Sequence, residues 1–543
     1  MTAHRKLWIL VVGCCLVLTE ADAQNPSQKA GRLFVASDRC LACHNGLIAP
    51  SGTDVSIGSN WQASIMAHAS RDPYWQASVK RETIMHPESK QHIEDECAAC
   101  HMPMSRYTAK VRGQKGSVFA NLPVLSARTP AHQLAADAVS CTMCHQIQPE
   151  NLGTEDSFTA GFLVDTEEPL GQRPAFGPFD VDEGRTRIMR SAGRFVPTET
   201  LHLKESGMCG SCHTLYTYSR GKNGQVIGRL PEQMPYLEWR HSAYRRNQSC
   251  QSCHMPKLTH SMAITSVMGQ PRKKFSRHVF RGGNFFMLNL LNRHRTELKV
   301  IASPQDLEGT MKDTMAFLNS KAARIAINEA KIENGRLTAR VEITNLAGHK
   351  LPTAYPSRRV WIHFQVMADT GDIVFESGKM NDDGSIAGND NDRDGRTYES
   401  HHDRITRMED VPIYEAVMAG PNGRITTGLL EAVTFIKDNR LLPLGFDKRT
   451  AHPDIAVKGA AYADPDFTGS KDTVLYSIPL ENPRSRLTLI AGLMYQPIAY
   501  RWAQNLRQQP SDETDRFVSL YNADAGRSAV RLTEDRHRID AMP

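Results

Sequence analysis

The chain has 543 residues, 40% of them hydrophobic and 23% charged, a globular composition long enough for roughly two or three domains and unlike a disordered or fibrous protein. Its formal charge is only +6, aromatic residues make up 7%, and no run of five basic residues occurs, so nothing favours nucleic acid as a partner.

The first segment reads as a signal peptide over residues 1–23. His4, Arg5 and Lys6 form a basic start, residues 7–18 are apolar, and Ala21-Asp22-Ala23 offers a small-residue cleavage site before Gln24. The apolar run is short for a bilayer span, and no later segment is long and apolar enough, so the mature chain is expected to have no transmembrane span. Val11-Val12-Gly13-Cys14 leaves lipoprotein processing open as an alternative. Either way the expected location is the periplasm, or the extracellular face of the outer surface.

Five copies of Cys-x-x-Cys-His follow, at residues 40–44, 97–101, 141–145, 209–213 and 250–254. Ten of the 12 cysteines lie in them: Cys40, Cys43, Cys97, Cys100, Cys141, Cys144, Cys209, Cys212, Cys250 and Cys253. This spacing is that of covalent haem c attachment, with both thiols forming thioethers and the adjacent His ligating iron. A chance match is expected on the order of 0.01 times per chain. Zinc would pair two Cys-x-x-Cys units without requiring His after each, and a disulfide framework requires no such His at all. Five covalently bound haem c groups are therefore expected, with His44, His101, His145, His213 and His254 as proximal iron ligands. So many haems leave little polypeptide for an ordinary core, and short helices and long loops are expected around them. Two motifs continue as Cys-His-Met-Pro, ending at Pro103 and Pro256, where proline should stop any helix.

The sixth ligand decides what such an iron does, since a second protein ligand makes an electron carrier and an open position admits a substrate. Histidines shortly before a motif can reach a neighbouring haem. His132, His202, His86 and His241 are candidate distal ligands on that ground, as is His278, which follows the last motif beside Gly282 and Gly283. His68, His92 and His260, with Met66 and Met102, are further candidates. For each, the plain alternative is a solvated or structural side chain.

Near residue 300 the pattern changes. A helix is expected over 304–319, then period-two strands over 324–331, 336–344, 359–367, 373–376, 473–479 and 486–493. Asn334-Gly335 and Thr370-Gly371 mark the turns between them. Residues 413–436 are mixed. The expected architecture is multidomain α+β: an α-rich, loop-rich multihaem cytochrome c domain over 24–300, then an antiparallel β-sandwich-like domain over 301–543 without covalent haem. His349, in Ala347-Gly348-His349-Lys350-Leu351-Pro352, is either a turn histidine or one inserted against a haem. Arg358 and Arg359 would suit haem propionates. Asp390, Asp392 and Asp394, with Gly395, resemble a Ca²⁺ loop, although His401 stands where an EF-hand needs Glu. The alternative is a solvated acidic loop.

The motif series, the Cys-His-Met-Pro tails, Tyr236-Leu237-Glu238-Trp239 and the segment 278–284 resemble bacterial multihaem cytochromes, most closely the cytochrome c-554-like group. That group is related to hydroxylamine oxidoreductase and the pentahaem nitrite reductases. The resemblance implies closely stacked, mostly bis-His haems that pass electrons to or from a redox partner protein or a quinol-linked donor or acceptor. The lysine-ended motif of the pentahaem nitrite reductases is missing, and hydroxylamine oxidoreductases carry eight haems. The rival expectation is a reductase or oxidase of a small nitrogen or sulfur compound at one haem with an open axial position.

Overall fold

The computed structural model describes residues 33–124, 129–480 and 486–540. The signal-peptide segment, with Cys14 and Cys15, lies outside them.

Up to residue 300 the chain forms short helices separated by loops. The helix Pro73–Met85 starts where Asp72 accepts from the amides of Tyr74 and Trp75, with proline in the first turn. The helix Lys90–His101 stops at the second motif, and Pro103 opens the next one, Pro103–Val111. The Cys-His-Met-Pro tail thus ends one helix and redirects the chain into another, because proline cannot donate to the preceding turn. A hairpin, Leu215–Arg220 with Val226–Gln233, a parallel pair, Pro174–Gly177 with Val196–Glu199, and a short antiparallel pair, Met262–Ala263 with Pro271–Arg272, complete the described part of this half.

Beyond it the helix Pro304–Lys321 leads into two larger sheets. In one, Ile373–Ser377, Arg359–Ala368, Leu487–Gln496 and Val530–Ile539 lie side by side, with Ile413–Tyr414 on the outer edge of Arg359–Ala368. In the other, the order is Arg404–Ile405, Lys471–Pro479, Arg336–Asn345 and Ala323–Glu333. Asn334 and Gly335 both have positive φ, +51° and +71°, as the tight turn joining Ala323–Glu333 to Arg336–Asn345 requires. Alternate residues of each strand face inward, and the rings of Phe364 and Tyr476 stack across the two sheets at 3.9 Å. The mixed stretch forms a small third sheet of Ile425–Thr426, Ala416–Ala419 and Thr434–Asp438.

The change of pattern near residue 300 is not a break in the core. One hydrophobic cluster joins Tyr74, Phe158, Tyr216, Phe285, Phe286, Leu290 and Leu291 to the inner faces of both sheets. The helix Asp512–Asp524 returns to pack on Pro73–Met85, where Tyr74 and Phe517 rings meet at 4.9 Å and Lys80 pairs with Glu513 at 3.3 Å. The loop between Ile425–Thr426 and Thr434–Asp438 joins the Leu215–Arg220 hairpin, the Arg220 amide donating to the Leu430 carbonyl at 2.7 Å. No helix among the described residues is long and apolar enough to cross a membrane.

Candidate functional site

Each motif sits on or beside one helical turn. The amides of His44, His145 and His213 donate to the carbonyls of Cys40, Cys141 and Cys209 at 3.0, 3.0 and 2.9 Å. Positions i, i+3 and i+4 of such a turn share one face, so both thiols and the imidazole are presented to the same side.

The imidazoles test whether a haem would fit. His44, His101 and His145 hold their Nδ1 against the carbonyls of Ile264, Ala69 and Phe176 at 2.7, 2.9 and 2.6 Å, and His254 holds its Nδ1 against that of Arg281. That bond fixes ring orientation and tautomer and leaves Nε2 as the free donor atom, as a metal-ligating histidine needs. Two of these rings have a second imidazole as a near-parallel neighbour. His145 and His278 have centroids 6.3 Å apart and planes within 19°; His254 and His349 are again 6.3 Å apart, within 14°. Two imidazoles bound end-on to one metal each need about 2.0 Å of bond and about 1.1 Å from nitrogen to ring centre, which separates the centroids by about 6.2 Å. Both pairs meet this spacing. His278 and His349 also hold Nδ1 on a carbonyl, of Ser276 at 3.2 Å and Lys350 at 2.9 Å.

Buried imidazole nitrogens without partners give a second sign of fit. His68 is fully buried with neither ring nitrogen in a hydrogen bond of normal geometry, and its pKa is pushed down to about 3, chiefly by burial. Nε2 of His86, His260 and His294 and Nδ1 of His132 are likewise buried and unpartnered. Leaving such groups unpaired costs about 1–3 kcal/mol each, so their number argues for an absent partner.

The cysteines show how the motifs neighbour one another. The thiol of Cys40 lies against Cys141, Cys100 against Cys212, and Cys209 against Cys250, while Cys144 is close to Cys212. The fourth motif therefore lies beside the second and fifth and near the third, and the first lies beside the third. Among the described residues, the single cluster of three or more metal-binding side chains contains no cysteine, so the thiols do not assemble into zinc-type sites.

No protein-family model and no curated protein matches the sequence. Among solved structures, the chain is similar to a penta-heme cytochrome c552 from Thermochromatium tepidum, with a TM-score of 0.50 and 14% identity over 94% of this chain and 100% of that one. The two share a fold. The match runs through both halves, including the sheets beyond residue 300.

The other candidate ligands fall into distinct settings. His202 has both ring nitrogens taken, by Thr200 Oγ1 at 2.7 Å and the Ile147 carbonyl at 2.8 Å. His241 Nε2 meets the Asp447 carbonyl at 3.2 Å, and His132 Nε2 that of Ala120 at 2.8 Å. His86 keeps its Nε2 free, whereas His92 pairs with Glu96 at 2.8 Å. Met102 is buried in an apolar cluster. Trp75 stacks on His101 at 4.3 Å, a contact that no sequence pattern announced.

The acidic loop is bound by arginines. Asp392 is buried and paired with Arg359 at 2.9 Å, Asp390 pairs with Arg393 at 2.7 Å, and Asp394 with Arg396 at 2.7 Å. The carboxylates a calcium ion would need are thus occupied, and Arg359 is committed to Asp392 rather than free for a propionate. The metal-like cluster among the described residues is elsewhere, at His401, Asp464 and Asp472. Arg358 lies near His213 and His349, where it lowers the basicity of both rings after burial has done so.

Proposed function

We propose that this chain is an exported pentahaem c-type cytochrome that passes electrons along closely spaced haems. The haems would be attached at Cys40 and Cys43, Cys97 and Cys100, Cys141 and Cys144, Cys209 and Cys212, and Cys250 and Cys253, with the five motif histidines as proximal ligands. The observation that carries the reading is the pairing of His145 with His278 and of His254 with His349 at one common separation, 6.3 Å. An iron held between two imidazoles has no open position for a substrate and is suited to outer-sphere electron transfer. The thiol contacts support a branched path in which the fourth haem is the hub, linking the second, third and fifth. A redox partner protein or a quinol-linked donor or acceptor would exchange electrons with it. Export agrees with haem c attachment outside the cytoplasm.

A second reading, reduction or oxidation of a small nitrogen or sulfur compound at one haem, draws on the surroundings of the second motif. Glu232 is buried there, its pKa pushed up to about 7 by burial, and with Glu82 it lies close to Cys97 and Tyr355. A buried, proton-holding carboxyl beside an aromatic hydroxyl is the equipment of acid–base chemistry. Carbon monoxide and cyanide titration of the purified holoprotein separates the two readings. Electron transfer predicts that no haem binds either ligand readily; one avidly binding haem would favour the catalyst.

A further inference from the structure

We propose that the second half of the chain supplies the sixth ligand of the fifth iron site: His349 opposes His254, held there by the buried cluster of Glu238, Lys350, Asp438 and Arg440. This rests on the haem reading above.

The geometry of the two rings is the first support. Each has its Nδ1 fixed on a backbone carbonyl, His349 on Lys350 at 2.9 Å and His254 on Arg281, so neither ring is free to swivel. Their near-parallel planes and 6.3 Å separation repeat those of His145 and His278. Two unrelated pairs with one spacing are hard to obtain from ordinary side-chain packing.

The loop that carries His349 is the second support. Asn345 Nδ2 donates to the His349 carbonyl and to that of Leu441, both at 2.9 Å, while its Oδ1 accepts from the Ala347 amide at 2.8 Å. On the other side, Glu238 Oε2 accepts from the Lys350 amide at 3.1 Å and from Thr353 Oγ1 at 2.5 Å. Glu238 is paired with Arg440 at 2.9 Å, Arg440 grips both oxygens of Asp438 at 2.8 and 2.7 Å, and Asp438 holds Lys350 Nζ at 2.7 Å. All four charged side chains are buried: Glu238 and Lys350 are 0% exposed, Asp438 3% and Arg440 7%. Two cations and two anions cancel, so the cluster is neutral as a whole. Such an arrangement is costly to desolvate and is kept where it fixes a position rather than where it merely adds stability.

What it fixes is informative. Glu238 belongs to the helix Pro235–Arg240, shortly before the fifth motif, whereas Lys350, Asp438 and Arg440 come from the second half. The segment leading into the motif therefore clamps the loop bearing the opposing imidazole. Glu238 is a positioning residue and His349 the ligand. The coordination of the fifth iron then depends on the docking of the two halves.

The test compares purified holoproteins carrying His349→Ala, His349→Met and His278→Ala. His349→Ala should keep five covalent haems by intact mass but convert one ferric haem from low to high spin, and its ferrous form should bind carbon monoxide at one haem. His349→Met should restore a low-spin iron through its thioether and raise one of the five potentials, a change that a purely structural role would not produce. If His349→Ala leaves every haem as in the wild type while His278→Ala converts one, this inference fails and the electron-transfer reading stands. If the wild type carries no haem, both fall together. Should His349→Ala not fold, His349→Met decides: an unshifted set of potentials overturns the proposal.

Discussion

The buried charge cluster gives the most quantitative prediction. Lys350 Nζ lies 2.7 Å from Asp438 Oδ2 with both side chains out of solvent. At an effective dielectric of about 20, unit charges at that distance attract by about 6 kcal/mol before desolvation is counted. Asp438→Asn leaves Lys350 buried beside a neutral group and Arg440 with only Glu238, so it should cost about 3–5 kcal/mol. Lys350→Met leaves Asp438 still bound by Arg440 and fills the stem's space, so about 1.5–3 kcal/mol is expected, the worth of one charged hydrogen bond. The double variant no longer strands an ammonium and should be less damaged than the sum, by about 2–3 kcal/mol. Denaturant unfolding followed by far-ultraviolet circular dichroism measures all three. Additivity within about 0.5 kcal/mol would refute the reasoning, because it would mean the pair is not coupled.

Four further outcomes follow from the same geometry. Burial disfavours the Asp438 carboxylate, yet Arg440 and Lys350 outweigh it and hold its pKa well below the usual range. Its stabilisation should therefore be complete above about pH 3.9 and be lost as pH falls below that; Asp438→Asn should flatten the acid limb of a stability–pH curve. Because both nitrogens of His202 are already hydrogen-bonded, His202→Ala should leave the haem spin states unchanged, and a new high-spin signal would contradict that placement. Glu238→Gln should keep five haems yet loosen the His349 loop, seen as a mixed-spin population at one haem; an unaltered spectrum would remove Glu238 from the positioning role. Phe364→Ala, which deletes a fully buried ring stacked on Tyr476, should destabilise by about 3–5 kcal/mol in the same unfolding assay.

Much of this was legible in the sequence. The motifs declare their own local geometry, since one helical turn suffices to align two thiols and an imidazole. The strand Arg336–Asn345 follows from strict alternation, Arg359–Ala368 from a run rich in β-branched and aromatic residues whose first half is buried on both faces, and Asn334-Gly335 from the turn chemistry it demands. His278 stands out in the sequence by its place after the last motif, and the fold sets its ring beside His145. Other features depend on long-range contacts that no local pattern encodes. His202 looks like a ligand by spacing, but Thr200 and Ile147 claim its ring. The acidic loop looks like a cation site until arginines distant in the fold or adjacent in the chain neutralise it. His349 could be read either way, because the feature that marks it is Glu238, more than a hundred residues earlier. The shared core likewise hides behind a sharp change in composition near residue 300, since Tyr74 and Phe517 meet only in the folded chain.

Everything proposed for this chain depends on five covalent haems that pass electrons. An electron paramagnetic resonance redox titration of the purified protein, quantified against covalently bound haem, tests it most directly. The account predicts five haems per chain that reduce and reoxidise reversibly without added substrate. It also predicts rhombic low-spin signals from the sites of His145 with His278 and His254 with His349, whose imidazole planes are within 19° and 14° of parallel. A chain without covalent haem, or one whose ferric irons are mostly high-spin and cyanide-reactive, would contradict it.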